Sequence, residues 1–358
     1  MKAERQSNIE LARIFAIVGV FILHYNNPIM GRGIAYAKGI NLYILYFLES
    51  LSICGVDLFM LISGYFMCKT QKVSIWKPIK LLVQVVLFSF GVYLLRGLIS
   101  GNGLSLKGVI ASLVPANYFV ILYSVTYLLA PYLNIIVNKL SEQQFRKFIV
   151  LLLILFSIWP TAVDVLSELI GHYYNGLSTV GVYGSQWGYS IVNFTLMYLV
   201  GAFLRREKGI LDQVRTWKVA VSLFACVVVM IIWSRINDYI GYLTEKTAWE
   251  YCNPLVILSA VFIFLLFARL HLGVNRIINK ISEGVFSIYL LHSIFLEKIG
   301  IEIAVQKNPV ILLIHIFVSA SLVCCICLFV HQLYSFISKP IFKKLEERVK
   351  VPQINVGE

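Results

Sequence analysis

Residues 9–27 read IELARIFAIVGVFILHYNN, an apolar run that carries Glu10, Arg13 and His24 inside it. Its length matches the roughly 20 residues that one membrane-crossing helix needs. Further apolar runs lie at 42–67, 78–100, 115–137, 147–163, 188–204, 217–234, 252–270, 284–300 and 309–336. The second is long and holds Glu49, Gly55 and Asp57, which predicts a tilted or a broken span. The whole chain of 358 residues is 59% hydrophobic and 14% charged, and its mean hydropathy is +0.81. Soluble chains carry about 25% charged residues. The pattern predicts an all-α polytopic membrane helix bundle of about ten transmembrane helices, and excludes a soluble enzyme, a secreted module and a disordered linker. Residues 1–338 are expected to form the membrane domain and 339–358 a short basic tail. No internal repeat is visible.

Thirty-one Lys and Arg against eighteen Asp and Glu give a net charge of +13. In a membrane protein such an excess sets topology and does not point to nucleic acid. One set of loops, with both chain ends, collects the cations: Lys69, Lys72, Lys77 and Lys80; Lys139, Arg146 and Lys147; Arg205, Arg206 and Arg215; Arg276 and Lys280; then Lys339 to Lys350. The other side keeps only Arg32, Lys38, Arg96, Lys107, Arg235, Lys246, Lys298 and Lys307. Both termini are therefore expected in the cytoplasm, with residues 164–187 and 235–251 outside. The first apolar run follows Lys2 and Arg5 as a signal peptide would, but Arg13 interrupts it and no cleavage site follows, so it is expected to stay in the mature protein. Seven cysteines, odd in number and mostly within apolar runs, suggest membrane packing and not disulfides.

Ionisable groups inside a span are costly and are functional candidates for that reason. Arg13 and His24 are eleven residues apart, so on a helix they share a face to within about 20° and are separated by about 16 Å. An elongated ligand with an anionic end and a reactive end suits that spacing. Arg13 can grip phosphate through its planar fork, and His24 can act as a general base. The alternative is that Arg13 snorkels to the interface and His24 caps the outer end of the helix.

Further residues turn this spacing into a resemblance. Arg13, ten intervening residues and His24 resemble the signature that opens the acyltransferase-3 family of integral membrane acyltransferases. Gly55-Val-Asp57-Leu-Phe-Met-Leu-Ile-Ser63-Gly64-Tyr65, the stretch from Asn117-Tyr118-Phe119 to Asn134, and Ser287-Ile-Tyr289-Leu-Leu-His292 resemble later motifs of that family, in order. The resemblance implies transfer of an acyl group, usually acetyl, from a cytoplasmic coenzyme A thioester to a hydroxyl of an extracytoplasmic or lipid-linked glycan. Acetyl-CoA is then the acyl donor. Two positions depart from the pattern: Glu10 stands where relatives often have Asp, and Asn117-Tyr118 where many have Trp. Some relatives append an extracytoplasmic esterase-like domain. Here the acyl group is expected to pass directly to the acceptor or to a separate extracytoplasmic protein.

On this basis the expected roles are His24 as base and Ser63 placing a hydroxyl near the thioester, while Asp57 and Glu49, as charges inside the second run, are candidates to orient His24 or Arg13 or to pair with neighbours. Arg13, with Glu10 beside it, is assigned to the donor. Trp187, Tyr239, Trp249 and His292 are assigned to the acceptor, the aromatic faces being suited to sugar rings. No metal is implied, because His172, His271, His315 and His331 are scattered. The rival from another class is a polysaccharide transporter or flippase, for which matched, interrupted halves would be expected.

Overall fold

A computed structural model describes residues 6–100, 103–240, 247–349 and 351–356, with side chains left aside at 100, 210 and 240. Tyr242, Glu245 and Lys246 of the expected outer loop lie outside the described residues. The fold is a helix bundle, as its hydropathy predicts. The helices used below are α1 (Ser7–Asn26), α2 (Ile40–Ser52), α3 (Gly55–Met67), α4 (Trp76–Ser100), α5 (Tyr118–Lys139), α6 (Glu142–Leu153) and α7 (Trp159–Ile170). They continue with α8 (Ile191–Arg206), α9 (Thr216–Ile240), α10 (Pro254–Ala268), α11 (Arg276–Glu283), α12 (Val285–Leu291) and α13 (Pro309–Arg348). Short polar residues mark their starts. The side chains of Asn117, Ser190, Asn253 and Asn308 accept from the first turns of α5, α8, α10 and α13, and Ser141 with Gln144 forms a capping box on α6.

Among the described residues eight helical stretches are long and apolar enough to cross a membrane. They account for eight of the ten expected spans. The second is broken, one of the two forms its length and polar residues allowed: α2 and α3 meet at Ile53–Cys54, where a Cβ on Gly55 would stand 3.0 Å from the Ala16 carbonyl of α1. The fifth holds a π-turn at Ile154–Ile158 immediately before Trp159-Pro160. Such a turn re-satisfies the backbone where proline removes a donor.

Two expected spans take other forms. Residues 188–204 fall largely on α8, only sixteen residues long and mostly buried. Residues 284–300 do not form one helix, which corrects the expectation of a ninth continuous span. The chain there breaks at Gly284, His292 and the left-handed Gly300 (φ +68°). Gly284 is pressed so close to α13 that a Cβ would stand 2.3 Å from Leu328 Cδ2. Irregular backbone is tolerated at membrane depth only when protein surrounds it or it lines a cavity.

Helix α13 runs unbroken across residue 338 and through Pro340 to Arg348. Residues Gln353–Asn355 then return as a strand, β2, antiparallel to β1 (Lys72–Ser74), with Lys72 opposite Asn355. Lys80 Nζ lies 2.6 Å from Glu346 of α13, and the backbone N–H of Asn275 donates to Ser7 Oγ at 2.7 Å. The start of α1, the β1 loop, α11 and the tail thus gather at one basic end. At the other end, α7 extends to Ile170, so Asp164 and Glu168 are helical and not in the loop that was expected to begin at 164. Of the cysteines, all unpaired, five are buried, whereas Cys325 is exposed on α13.

Candidate active site

Helix α1 brings Glu10, Arg13 and His24 along one seam. Glu10 is buried, and its Oε1 accepts from Arg13 Nη1 at 2.6 Å while Oε2 accepts from Ser282 Oγ of α11. The carboxylate therefore fixes Arg13 from behind and is not itself presented to a ligand. Arg13 lines a cavity of about 290 Å³ together with Lys77 of α4, Ser63 of α3 and Ser282. Aromatic rings of Phe59, Phe119, Tyr123, Phe286 and Tyr289 form much of the remaining wall. Lys77 is itself positioned: its Nζ donates to Tyr123 OH at 2.6 Å and stands 4.5 Å above the Tyr127 ring. The cavity thus has two cations, an aromatic throat and Val20 of α1 in its wall. His24 is not in that wall. It lies one turn beyond Val20 on the same face, since residues four apart stack on a helix.

What the chain places against His24 is His292, 268 positions later, with Nδ1 of His24 2.5 Å from Nε2 of His292. The ring centroids are 4.7 Å apart and the planes within 5°. Because the nitrogens are so much closer than the centroids, the rings meet edge to edge in one plane and are not stacked face on face. Hydrogen bonding sets the tautomers. Nδ1 of His292 is 2.9 Å from the carbonyl oxygen of Ile288, which can only accept. That nitrogen therefore carries the proton, Nε2 of His292 accepts from Nδ1–H of His24, and Nε2 of His24 is left with a bare lone pair. Among the described residues that lone pair has no partner. The break of the chain at His292 is what turns its ring onto α1, and Tyr289, which lines the cavity, lies with its centroid 6.5 Å from that of His292.

The other expected site residues fare differently. Ser63 lines the cavity, but its hydroxyl donates to Phe59 O of its own helix at 2.9 Å. Asp57 does not meet His24. It is buried against α8, its Oδ1 accepting from Asn193 Nδ2 at 2.9 Å, while its Oδ2 has no partner among the described residues. Glu49, the other acid of the second run, has its Oε2 accepting from Asn26 Nδ2 at 2.9 Å. Trp249 is not an open platform: its Nε1 donates to Ser50 Oγ at 2.9 Å and Tyr46 packs edge-on against it. Trp187 and Tyr239 are exposed at the far end from Arg13, Trp187 in the left-handed region at φ 54°. His292, assigned to the acceptor, stands against His24. Lys77 and Ser282 were missed, because from sequence they look like an ordinary topological cation and an ordinary loop serine.

Among the described residues no group of three or more His, Cys, Asp or Glu is placed to hold a metal ion. No curated protein and no solved structure matches the chain significantly. The model of one family, described as an acyltransferase domain, matches residues 6–330. That range includes every residue of the seam and cavity described above. The chain therefore belongs to the acyltransferase-3 family and is a multi-pass membrane acyltransferase.

Proposed function

We propose that this acyltransferase resides in the cell membrane and moves an acetyl group from acetyl-CoA, entering at the basic end, to a hydroxyl of an extracytoplasmic or lipid-linked glycan. The observation that carries this reading is the oriented His24–His292 pair, set one turn beyond a cavity whose other end holds Arg13 and Lys77. A phosphorylated donor with a long thin arm fits that arrangement: the diphosphate at the cations, the arm along the aromatic throat and the thioester at His24. The fork of Arg13, held rigid by Glu10, suits a phosphate. The cytoplasmic charges would also raise the local concentration of an anionic donor.

In the proposed reaction, Nε2 of His24 takes the proton of the acceptor hydroxyl as that oxygen attacks the thioester carbonyl. The imidazolium that forms keeps its Nδ1–H bond to His292, which spreads the new charge into a second ring. Collapse of the tetrahedral adduct breaks the carbon–sulfur bond, and the proton on Nε2 of His24 passes to the departing thiolate. The products are the ester and the free thiol of CoA. Delivery of the acyl group to a separate extracytoplasmic protein would use the same steps with that protein's hydroxyl as acceptor.

The test is purified protein in lipid nanodiscs, given radiolabelled acetyl-CoA and the glycan fraction of its host membrane. Label appearing as alkali-labile ester on glycan is the expected result. Binding or movement of glycan with no consumption of acetyl-CoA would reject the enzyme reading in favour of a transporter. Cysteine labelling at position 172 in intact cells is expected to succeed, and labelling only after permeabilisation would reverse the proposed orientation.

A further inference from the structure

The cavity at Arg13 is small for the donor assigned to it. At about 290 Å³ it lies at the bottom of the ~300–1,000 Å³ that hold drug-sized ligands. That volume suits the slender arm and the diphosphate, and leaves the adenosine 3′-phosphate end to be placed elsewhere. A second cavity of about 260 Å³ lies at the same basic end, and Glu283 of α11 belongs to the walls of both. Its other walls include Lys280, Lys339, His331, Gln332 and Phe336.

The imidazole in this second cavity is oriented from inside the protein. Gln84 Nε2 donates to Ser287 Oγ at 2.8 Å, and that oxygen lies 2.8 Å from His331 Nδ1. Ser287 is fully buried and Gln84 nearly so; with the Ser287 hydroxyl proton turned to Nδ1, the ring carries its own proton on Nε2. In that tautomer a donor nitrogen stands on a wall that also carries Lys280 and Lys339. Phe336 is 84% exposed, a ring on which a base can stack. Glu283 stands on the wall shared by the two cavities.

We infer that the second cavity takes the adenosine 3′-phosphate end of the coenzyme A donor, with Lys280, Lys339 and His331 Nε2–H on the phosphate and Phe336 on the adenine. The inference rests on the proposed use of an acyl-CoA donor. It adds a binding subsite on the last helix, far in sequence from Arg13.

The experiment compares acetyl-CoA with acetyl-dephospho-CoA, which differs only in lacking the 3′-phosphate. KM is measured for transfer, and Kd for the two free thiols by calorimetry, with the intact protein in nanodiscs. The native protein is expected to favour the 3′-phosphorylated donor by tenfold or more in both quantities. The double variant Lys280→Gln/Lys339→Gln is expected to bring that ratio close to one by weakening the 3′-phosphorylated donor, while Lys298→Gln, away from both cavities, keeps the native ratio. Equal affinity of the native protein for both donors, or a native ratio persisting in the double variant, overturns the inference. So does a variant whose only change is lost thermal stabilisation by short-chain phosphatidylglycerol, which would assign the cavity to a lipid headgroup. Transfer from neither donor would sink the acyl-CoA reading itself. The two failures are thus distinguishable, because discrimination is read as a ratio and activity as a signal.

Discussion

Two seams of this bundle bury polar groups at membrane depth, and they use them in opposite ways. Along α1 and the broken chain from Ser282 to His292, polar side chains hold one another: Ser282 holds Glu10, Glu10 holds Arg13 on the cavity wall, and His292 holds His24, whose Nε2 has no protein partner among the described residues. Between α3 and α8 the backbones touch directly. A Cβ on Gly64 would stand 1.9 Å from the Tyr198 carbonyl oxygen, and one on Gly201 2.0 Å from that of Leu61. Asp57 and Asn193 are enclosed there with nothing but protein around them. An ionisable group inside a span is thus only a candidate; what decides its role is whether the groups around it leave it an exit. Small residues at a helix contact let backbones approach, and the approach that makes the α3–α8 seam tight is what denies it a cavity.

The sharpest way to break this contrast is at His24. His24→Ala should lower transfer by about 10²–10⁴-fold, the usual worth of a general base, while calorimetric donor binding persists. Near-native transfer by this variant would remove the first seam from the chemistry.

The matching change in the second seam is Gly64→Ala, expected to act on folding and not on chemistry. Forcing a methyl group against the Tyr198 carbonyl costs about 1–3 kcal/mol or more, read as a lower Tm and a lower yield of monodisperse protein. A variant of native stability would mean that the backbones are not in contact. His292 then tests whether the pair is a unit. His292→Leu should cost about 10–100-fold in kcat, the range seen when a group that orients a functional histidine is removed. His292→Gln should recover part of it, because an amide oxygen can accept from Nδ1–H of His24. An equal loss in both would point to packing alone.

Arg13 separates binding from chemistry. Arg13→Ala should raise donor KM by about tenfold, the loss of one charge-assisted contact, and Arg13→Lys should restore only part because a point charge lacks the planar fork. An effect confined to kcat would place Arg13 elsewhere in the mechanism. The smallest effect is expected from Asp57→Asn, which keeps the shape and the hydrogen-bonding reach of the side chain. Transfer should stay within a few-fold of native; a loss comparable to that of His24→Ala would show that the enclosed seam takes part after all.

Much of this was legible before any coordinates. Hydropathy is a local property, so apolar runs predicted the bundle, the length and polar residues of the second run left it tilted or broken, and the eleven-residue spacing aligned Arg13 with His24 on one helix face. Interrupted segments were harder: 284–300 is as apolar as a span, yet it breaks at Gly284, where α13 packs close, and again at His292 and Gly300. Asp57 and His292 show the limit most clearly. From sequence each was an intramembrane polar residue of similar standing, yet one meets Asn193 and the other meets His24. Helix periodicity places residues on a face but does not say which helix that face will meet, so partners such as His24 and His292, 268 positions apart, are decided by lateral packing. The same holds for Lys77, Ser282 and His331. Each reaches a cavity wall because several helices leave a gap there, and a gap is a property of tertiary packing that no single helix carries in its sequence.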